Sequence, residues 1–363
     1  MICNLITWSI ALFYLFWVPF VFYLKRQWFG EKFNFLYKIE QASDPIYDPY
    51  TRSDRKNWNE KEFLLCGIFL APIRFSVVIV TITIATYLNK LLVLIYGVKD
   101  LSAEHPDNFK RLSKRITKIA TSILVYAFGY HNIKREYIKV DKSKYKNLKI
   151  IEPNDPEHIV TLVISNHVTF LEILFNMSNT YQTSFISKSG VKKFPLIGFY
   201  AECIQSIFVE RESKENRSSA IDMIGKRIKD LQEGKNYTNL VLFPEGTTSS
   251  GHFLTSFKKG AFIHKAPLKV TGVKYFGSMN VCLNMMSELE VAIAMIFQWN
   301  KSMTYYEIEG LVGPAKEMEW EEYAKEVKKM MCQEFGMRSS EATYRAKKEF
   351  EMKFCSFDEK SYH

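Results

Sequence analysis

An α/β domain behind an apolar, membrane-directed N-terminal third is the organisation the sequence predicts, and three observations predict it. From His131 onward, short apolar runs alternate with amphipathic stretches of helical spacing, the pattern of strands and helices in turn. Ahead of that point lie an uncharged run from Ile6 to Leu24 and a second apolar zone from Phe63 to Val98. The composition agrees: 28 Phe and 20 Tyr among 363 residues are a heavier aromatic load than a soluble enzyme needs, and they suit contact with a bilayer.

The first element, residues 1–30, reads as an uncleaved transmembrane anchor. Its apolar run is long enough to span a hydrocarbon core, nothing basic precedes it, and Lys25, Arg26 and Lys32 follow it, which puts its C-terminal side in the cytosol. A polar connector rich in Asp, Pro and Tyr fills 31–60. The zone Phe63 to Val98 is interrupted by Pro72, Arg74 and Lys90 and admits a two-span hairpin, a re-entrant hairpin, or one span over Phe75 to Val98. The stretch Ile119 to Tyr130 is too short to cross and is expected at the interface, behind Lys110, Arg111, Lys114, Arg115 and Lys118. Residues 61–130 thus form a membrane hairpin with an interfacial helix, 131–335 the main domain, and 336–363 a polar C-terminal tail.

Within the main domain the expected strands are Ile159 to Ser165, Ser184 to Ser187, Ile207 to Val209, Leu240 to Phe243, Lys269 to Tyr275 and Met303 to Val312. The expected helices are Leu171 to Tyr181, Val191 to Cys203, Asn216 to Glu233 and Trp320 to Glu334; the last keeps Trp320, Tyr323, Val327 and Met331 on one face and reads as a core helix.

A formal net charge of +10 favours an anionic partner: nucleic acid, cofactor phosphates or anionic lipid. No run of Lys and Arg interleaves with stacking aromatics, which argues against nucleic acid. The 6 cysteines form no Cys-x-x-Cys pair and the 7 histidines have no ligand-like spacing, so neither structural zinc nor a disulfide framework is expected.

The segment Val163-Ile-Ser-Asn-His167-Val-Thr-Phe-Leu-Glu172 ends an apolar strand in polar residues and brings a carboxylate at the start of the next helix. Inside one helix the two side chains would point about 140° apart. They meet only if His167 lies on the strand-to-helix turn. A carboxylate on one imidazole nitrogen then fixes the tautomer and leaves the other nitrogen basic enough to deprotonate an alcohol. The bland alternative is a capping histidine beside an ordinary first-turn acid, and for this spacing alone it is preferred.

Three further segments change that balance. Ser206-Ile-Phe-Val-Glu-Arg211 puts an arginine after a short strand, where it can fork to a phosphate or simply be solvated. Leu240-Val-Leu-Phe-Pro-Glu245-Gly246-Thr247-Thr248 ends a strand in a turn carrying a carboxylate and hydroxyls, either a pocket wall or an ordinary turn. Ser256-Phe-Lys-Lys-Gly-Ala adds cations and a glycine, suited to phosphates or to a solvated surface turn.

Together these segments resemble the glycerolipid acyltransferase family, in which lysophosphatidic acid, lysophosphatidylcholine and lysophosphatidylethanolamine acyltransferases fall. The blocks that carry the likeness are His167 to Glu172, Val209 to Arg211, Phe243 to Thr247 and Lys269 to Tyr275, with Asn166-His-Val-Thr-Phe-Leu-Glu-Ile-Leu most similar to the plant-type lysophosphatidylethanolamine enzymes. Two positions depart from the family pattern: Glu172 stands for its aspartate and Val270 for a proline.

The resemblance implies an acyltransferase αβ domain with a mixed sheet, and acyl transfer from acyl-CoA to a lysophospholipid with His167 and Glu172 as the catalytic pair. It further implies that Asn166, Thr169, Phe170, Lys188, Arg211, Glu245, Gly246 and Thr247 bind substrate, Arg211 and Lys188 through the acceptor's phosphate. No metal or redox cofactor is called for. The expected setting is the endoplasmic reticulum membrane with the domain on its cytosolic face. A silent lipid-binding scaffold and a CoA-independent transacylase are the rival readings.

Overall fold

The computed structural model describes residues 2–30, 33, 44–153, 155, 158–178, 183–193, 196–210, 214–299, 301–315 and 318–354. Helix α1 (Ile2–Phe29) leads to α2 (Glu60–Tyr96) and α3 (Asp107–Ala127), after which the α/β pattern begins. Its strands are β1 (Asn132–Ile138), β2 (Leu148–Ile151), β3 (Leu162–Ile164), β4 (Thr183–Lys188), β5 (Ile207–Val209), β6 (Asn239–Leu242), β7 (Phe253–Leu254), β8 (Leu268–Phe276), β9 (Ser302–Ile308), β10 (Leu311–Pro314) and β11 (Arg338–Ser339). Between and after them come α4 (Leu171–Ser178), α5 (Ile197–Cys203), α6 (Lys214–Gln232), α7 (Glu288–Ile296), α8 (Trp320–Glu334) and α9 (Tyr344–Phe354).

Among the described residues nine strands make one sheet in the order β1-β9-β8-β3-β6-β4-β5, with β10 bridging β2 and β8. The β8-β3-β6-β4-β5 segment is parallel, whereas β9 runs antiparallel to β8 and parallel to β1, so the sheet is mixed as expected. Parallel strands must be covered on both faces, and β3 and β6 are apolar on both. Leu162, Ile164, Leu240 and Leu242 point to one side, into a core closed by Tyr323, Val327 and Met331 of α8. Val163 and Val241 point to the other and meet Phe185 and Met177.

The helix expected at Trp320 to Glu334 and the strand at Ile207 to Val209 are observed with those bounds. Met303 to Val312, expected as one strand, is two. The chain turns at Gly310 (φ +79°), where a Cβ would strike the Ile151 carbonyl oxygen, so only glycine lets β10 fold back beside β2. Within Val191 to Cys203 the helix proper is confined to α5.

Of the three arrangements open for Phe63 to Val98, the two hairpins are not observed and the unbroken one is: the zone does not reverse within itself. Residues Glu60–Tyr96 form one 37-residue helix, among the described residues the one long and apolar enough to cross a membrane. Pro72 fails to break it because it lies at the first turn after a π-turn over Cys66–Leu70. Ala71 N-H reaches back to the Cys66 carbonyl and Pro72 has no N-H, so the Gly67 carbonyl loses its helical donor. Trp17 of α1 supplies one, its Nε1 donating over 2.9 Å, and a Cβ on Gly67 would strike Phe297. Arg74 is not a solvated interruption either. Its Nη1 donates to the Ile296 and Gln298 carbonyls, both at 2.7 Å, fastening α2 to the end of α7. The chain reverses only after the left-handed Gly97, and α3 packs back along α2.

On the outer side α2 exposes Phe69, Ile73, Val80, Ile84, Leu91 and Leu94, and α1 exposes Trp8, Leu12 and Phe16. The connector carries Tyr50, Arg52 and Trp58 into the interior. In the segment read as a polar tail, α9 buries Ala346, Lys347 and Phe350 and packs on the connector through Tyr47.

Candidate active site

Parallel strands deliver their loops to one end of a sheet, and the turns after β3 and β6 meet there because these strands are neighbours. At the end of β3 the Asn166 amide behaves like one more strand residue. Its Nδ2 donates to the Val273 carbonyl (2.9 Å) and its Oδ1 accepts from Val273 N-H (2.7 Å). That bond pins the point where the chain leaves the sheet, and His167 follows on the turn before α4.

The His167 Nδ1 lies 3.0 Å from Glu172 Oε2, with Glu172 fully buried and the imidazole 20% exposed. The same Oε2 accepts from Val168 N-H (3.0 Å) and Thr169 N-H (2.9 Å), two donors at the entry to α4. One Glu172 oxygen thus both closes the turn and receives the imidazole. With a carboxylate on Nδ1 that nitrogen carries the proton, and the tautomer so assigned leaves a lone pair on Nε2. Phe243 holds the ring from one side, stacked at 4.0 Å between centroids and 10° between planes.

Glu245 is buried and turned inward. Its Oε1 accepts from His167 N-H (3.0 Å) and its Oε2 from Thr255 N-H and Oγ1-H, both at 2.9 Å. Burial raises its carboxyl above the usual range, against these donors. Ser249 N-H donates to the His167 carbonyl over 2.9 Å, so the histidine backbone is clamped on both sides. Gly246 (φ +67°) closes the turn, its N-H donating to the Phe243 carbonyl at 3.0 Å. Thr247 is buried at the turn, and Lys347 of α9 donates to both oxygens of the adjacent Thr248.

The structure thus brings His167, Glu172, Glu245, Gly246 and Thr247 together. Asn166, Glu245 and the Thr169 backbone are spent on holding the turns, whereas Phe170 is half-buried against Phe128. Lys188 ends β4 opposite Val209, which brings its backbone to the same end of the sheet. Arg211 lies outside the described residues. Sequence reasoning missed the stacking role of Phe243 and the part of Thr255, whose place ten residues after Glu245 carries no local signal. It gave no role to Tyr130, or to Tyr275 beyond its place at the end of the last block; their rings stand 5.4 Å apart and both feel the Glu172 charge.

The sequence model of the Acyltransferase family matches residues 123–273, from the end of α3 to β8. The lysophospholipid acyltransferase LPEAT1 of Arabidopsis thaliana is 30% identical over 182 residues, 47% of this chain and 46% of that protein. Lysophosphatidylcholine acyltransferase 2 of Rattus norvegicus is 22% identical over 232 residues, 64% of this chain and 39% of that one. The chain therefore spans less than half the length of these relatives. A solved structure, the 1-acyl-sn-glycerophosphate acyltransferase PlsC of Thermotoga maritima, aligns with a TM-score of 0.46 and 15% identity, over 75% of this chain and 100% of that one. The segment that builds the His167–Glu172 turn, residues 123–273, is thus the part of the chain similar to the Acyltransferase family, and the relatives it resembles include lysophospholipid acyltransferases.

Proposed function

We propose that the protein transfers a fatty acyl group from acyl-CoA to the free hydroxyl of a lysophospholipid, with His167 as general base and Glu172 as its orienting partner. The observation that carries this reading is the 3.0 Å contact between His167 Nδ1 and Glu172 Oε2 on a part-exposed ring stacked on Phe243. Nε2 takes the hydroxyl proton as the oxygen attacks the thioester carbonyl. The tetrahedral oxyanion collapses, the C–S bond breaks, and His167 returns the proton to the departing thiolate. Glu172 stabilises the imidazolium in between, and Arg211 and Lys188 hold the acceptor's phosphate. Phospholipid synthesis or remodelling is the setting that the relatives' names support.

The exposed apolar faces of α1 and α2 fit this reading, because a lysolipid and a long acyl chain must reach the site from a bilayer while CoA arrives from water. We place the domain on the cytosolic face of the endoplasmic reticulum. On that topology the sequons at Asn176, Asn216, Asn236 and Asn300 stay unglycosylated, and a mass shift on glycosidase treatment would reverse it.

Full-length protein in detergent, given radiolabelled acyl-CoA and a panel of lysolipids, tests the proposal. Acyl transfer with CoA release, lost in His167→Ala with the fold intact, supports it. Transfer from intact phospholipid alone assigns a CoA-independent transacylase, and no transfer from any donor assigns a silent scaffold.

A further inference from the structure

Behind the catalytic turn lies a group of polar atoms that the mechanism above leaves unused. Glu172 Oε2 is engaged three times, but its Oε1 is buried without a hydrogen-bond partner among the described residues. The hydroxyl oxygens of Tyr275, near the end of β8, and Tyr130, just ahead of β1, are buried and unpartnered as well. The three belong together, since the Glu172 charge acts on both phenols. Burial first, and that charge second, hold the Tyr275 and Tyr130 hydroxyls well above the ordinary tyrosine range, as proton donors. A buried carboxylate oxygen with no donor is expensive, and a phenol is the donor at hand.

Glutamate matters here. Reaching His167, Val168 and Thr169 with one oxygen leaves the other for a second donor, and the extra methylene gives the side chain its reach. The geometry points to Tyr275 as a positioning residue that donates its hydroxyl proton in a hydrogen bond to Glu172 Oε1, stabilising the carboxylate that orients His167. Tyr130, whose ring packs edge-on to that of Tyr275 at 5.4 Å, braces it. This role rests on the proposed acyl transfer and deepens it.

The ionisable groups facing the pair are Glu245 from the turn after β6, Tyr275 from β8 and Tyr130 ahead of β1. His167 and Glu172 share one hydrogen bond and act as a unit. Withdrawing a donor from the carboxylate raises the proton affinity of that unit, wherever the proton resides. In full-length protein, Tyr275→Phe should therefore lower kcat about tenfold with KM little changed, and should move the acid limb of the kcat profile up by about one pH unit. Incorporating 3-fluorotyrosine at position 275 strengthens the donor and should move the limb down. It also serves if the phenylalanine variant does not fold.

Reactivity of His167 toward diethyl pyrocarbonate, read on its peptide by mass spectrometry across pH, follows the same proton without turnover. Its inflection should shift with the acid limb. Wild-type protein without acyl transfer overturns the proposed function, while the inflection still judges Tyr275. An inflection unmoved by both changes overturns the inference, whatever happens to the rate.

Discussion

Replacing Glu172 with glutamine removes one charge while keeping an oxygen that can hold the histidine and the turn. The amide oxygen can still accept from His167 Nδ1-H, Val168 N-H and Thr169 N-H, now 3.0, 3.0 and 2.9 Å from Glu172 Oε2, so the turn and the imidazole tautomer persist. What disappears is the attraction between carboxylate and imidazolium. With charge centres about 4 Å apart and an effective dielectric of about 20, that attraction is about 4 kcal/mol. The retained hydrogen bond returns about 1 kcal/mol. A net loss of about 3 kcal/mol corresponds to a kcat lower by between about 10² and 10³.

The assay is CoA release under saturating acyl-CoA and lysolipid, paired with a thermal melt to show the fold intact. Less than a threefold loss in a folded Glu172→Gln protein would refute the reasoning, because the charge would then do nothing for the histidine. Glu172→Asp keeps the charge but withdraws it by about 1.5 Å. It cannot keep all three partners without moving the turn, and misplacement of about 1 Å costs up to about 10². Its rate should fall between those of wild type and Glu172→Gln.

Phe243→Leu removes the ring stacked on His167; with aromatic pairs contributing about 0.5–1.5 kcal/mol, kcat should fall between about twofold and tenfold, checked by steady-state kinetics. Glu245→Gln sets an amide NH2 against the His167 N-H or the Thr255 donors, so it should destabilise the protein by about 1–3 kcal/mol, read as a melting temperature lower by several degrees. Lys110 titrates at about 8, below its ordinary 10.5, pushed down by burial and then by Lys114. The unfolded chain therefore holds that proton more tightly, so the Lys110 charge costs stability below about pH 8, and that cost is relieved as pH rises toward 10.5. Lys110→Met should flatten that limb in a series of denaturant midpoints taken across pH.

Much of the site was legible because its parts are local. A strand ending at Ser165, a histidine on the turn and an acid five residues later describe one strand-to-helix connection, and the connection formed as the spacing required. The α8 helix and β5 strand were equally plain, one from an apolar face at helical spacing and the other from a short buried run. Less was legible where a local signal was answered by a distant residue. Pro72 and Arg74 read as interruptions, because nothing nearby shows that Trp17 relieves the Gly67 carbonyl or that Arg74 reaches Ile296 and Gln298. Gly310 looked like one residue within a strand until β2 proved to lie against it.

By itself, then, the sequence determined the α/β alternation, the apolar N-terminal third and the identity of the histidine–carboxylate pair, since periodicity and turn spacing are written into consecutive residues. Only the tertiary structure decided what surrounds that pair. Glu245 looked like a wall of the acceptor pocket and instead clamps the His167 backbone, Asn166 zips β3 to β8, and Phe243 carries the imidazole. Tyr130 and Tyr275 are separated along the chain from Glu172 and from each other, and only the sheet order, β8 beside β3 and β1 joined to it through β9, brings them to its carboxylate. Such partners are fixed by strand order, and no short stretch of residues encodes that order.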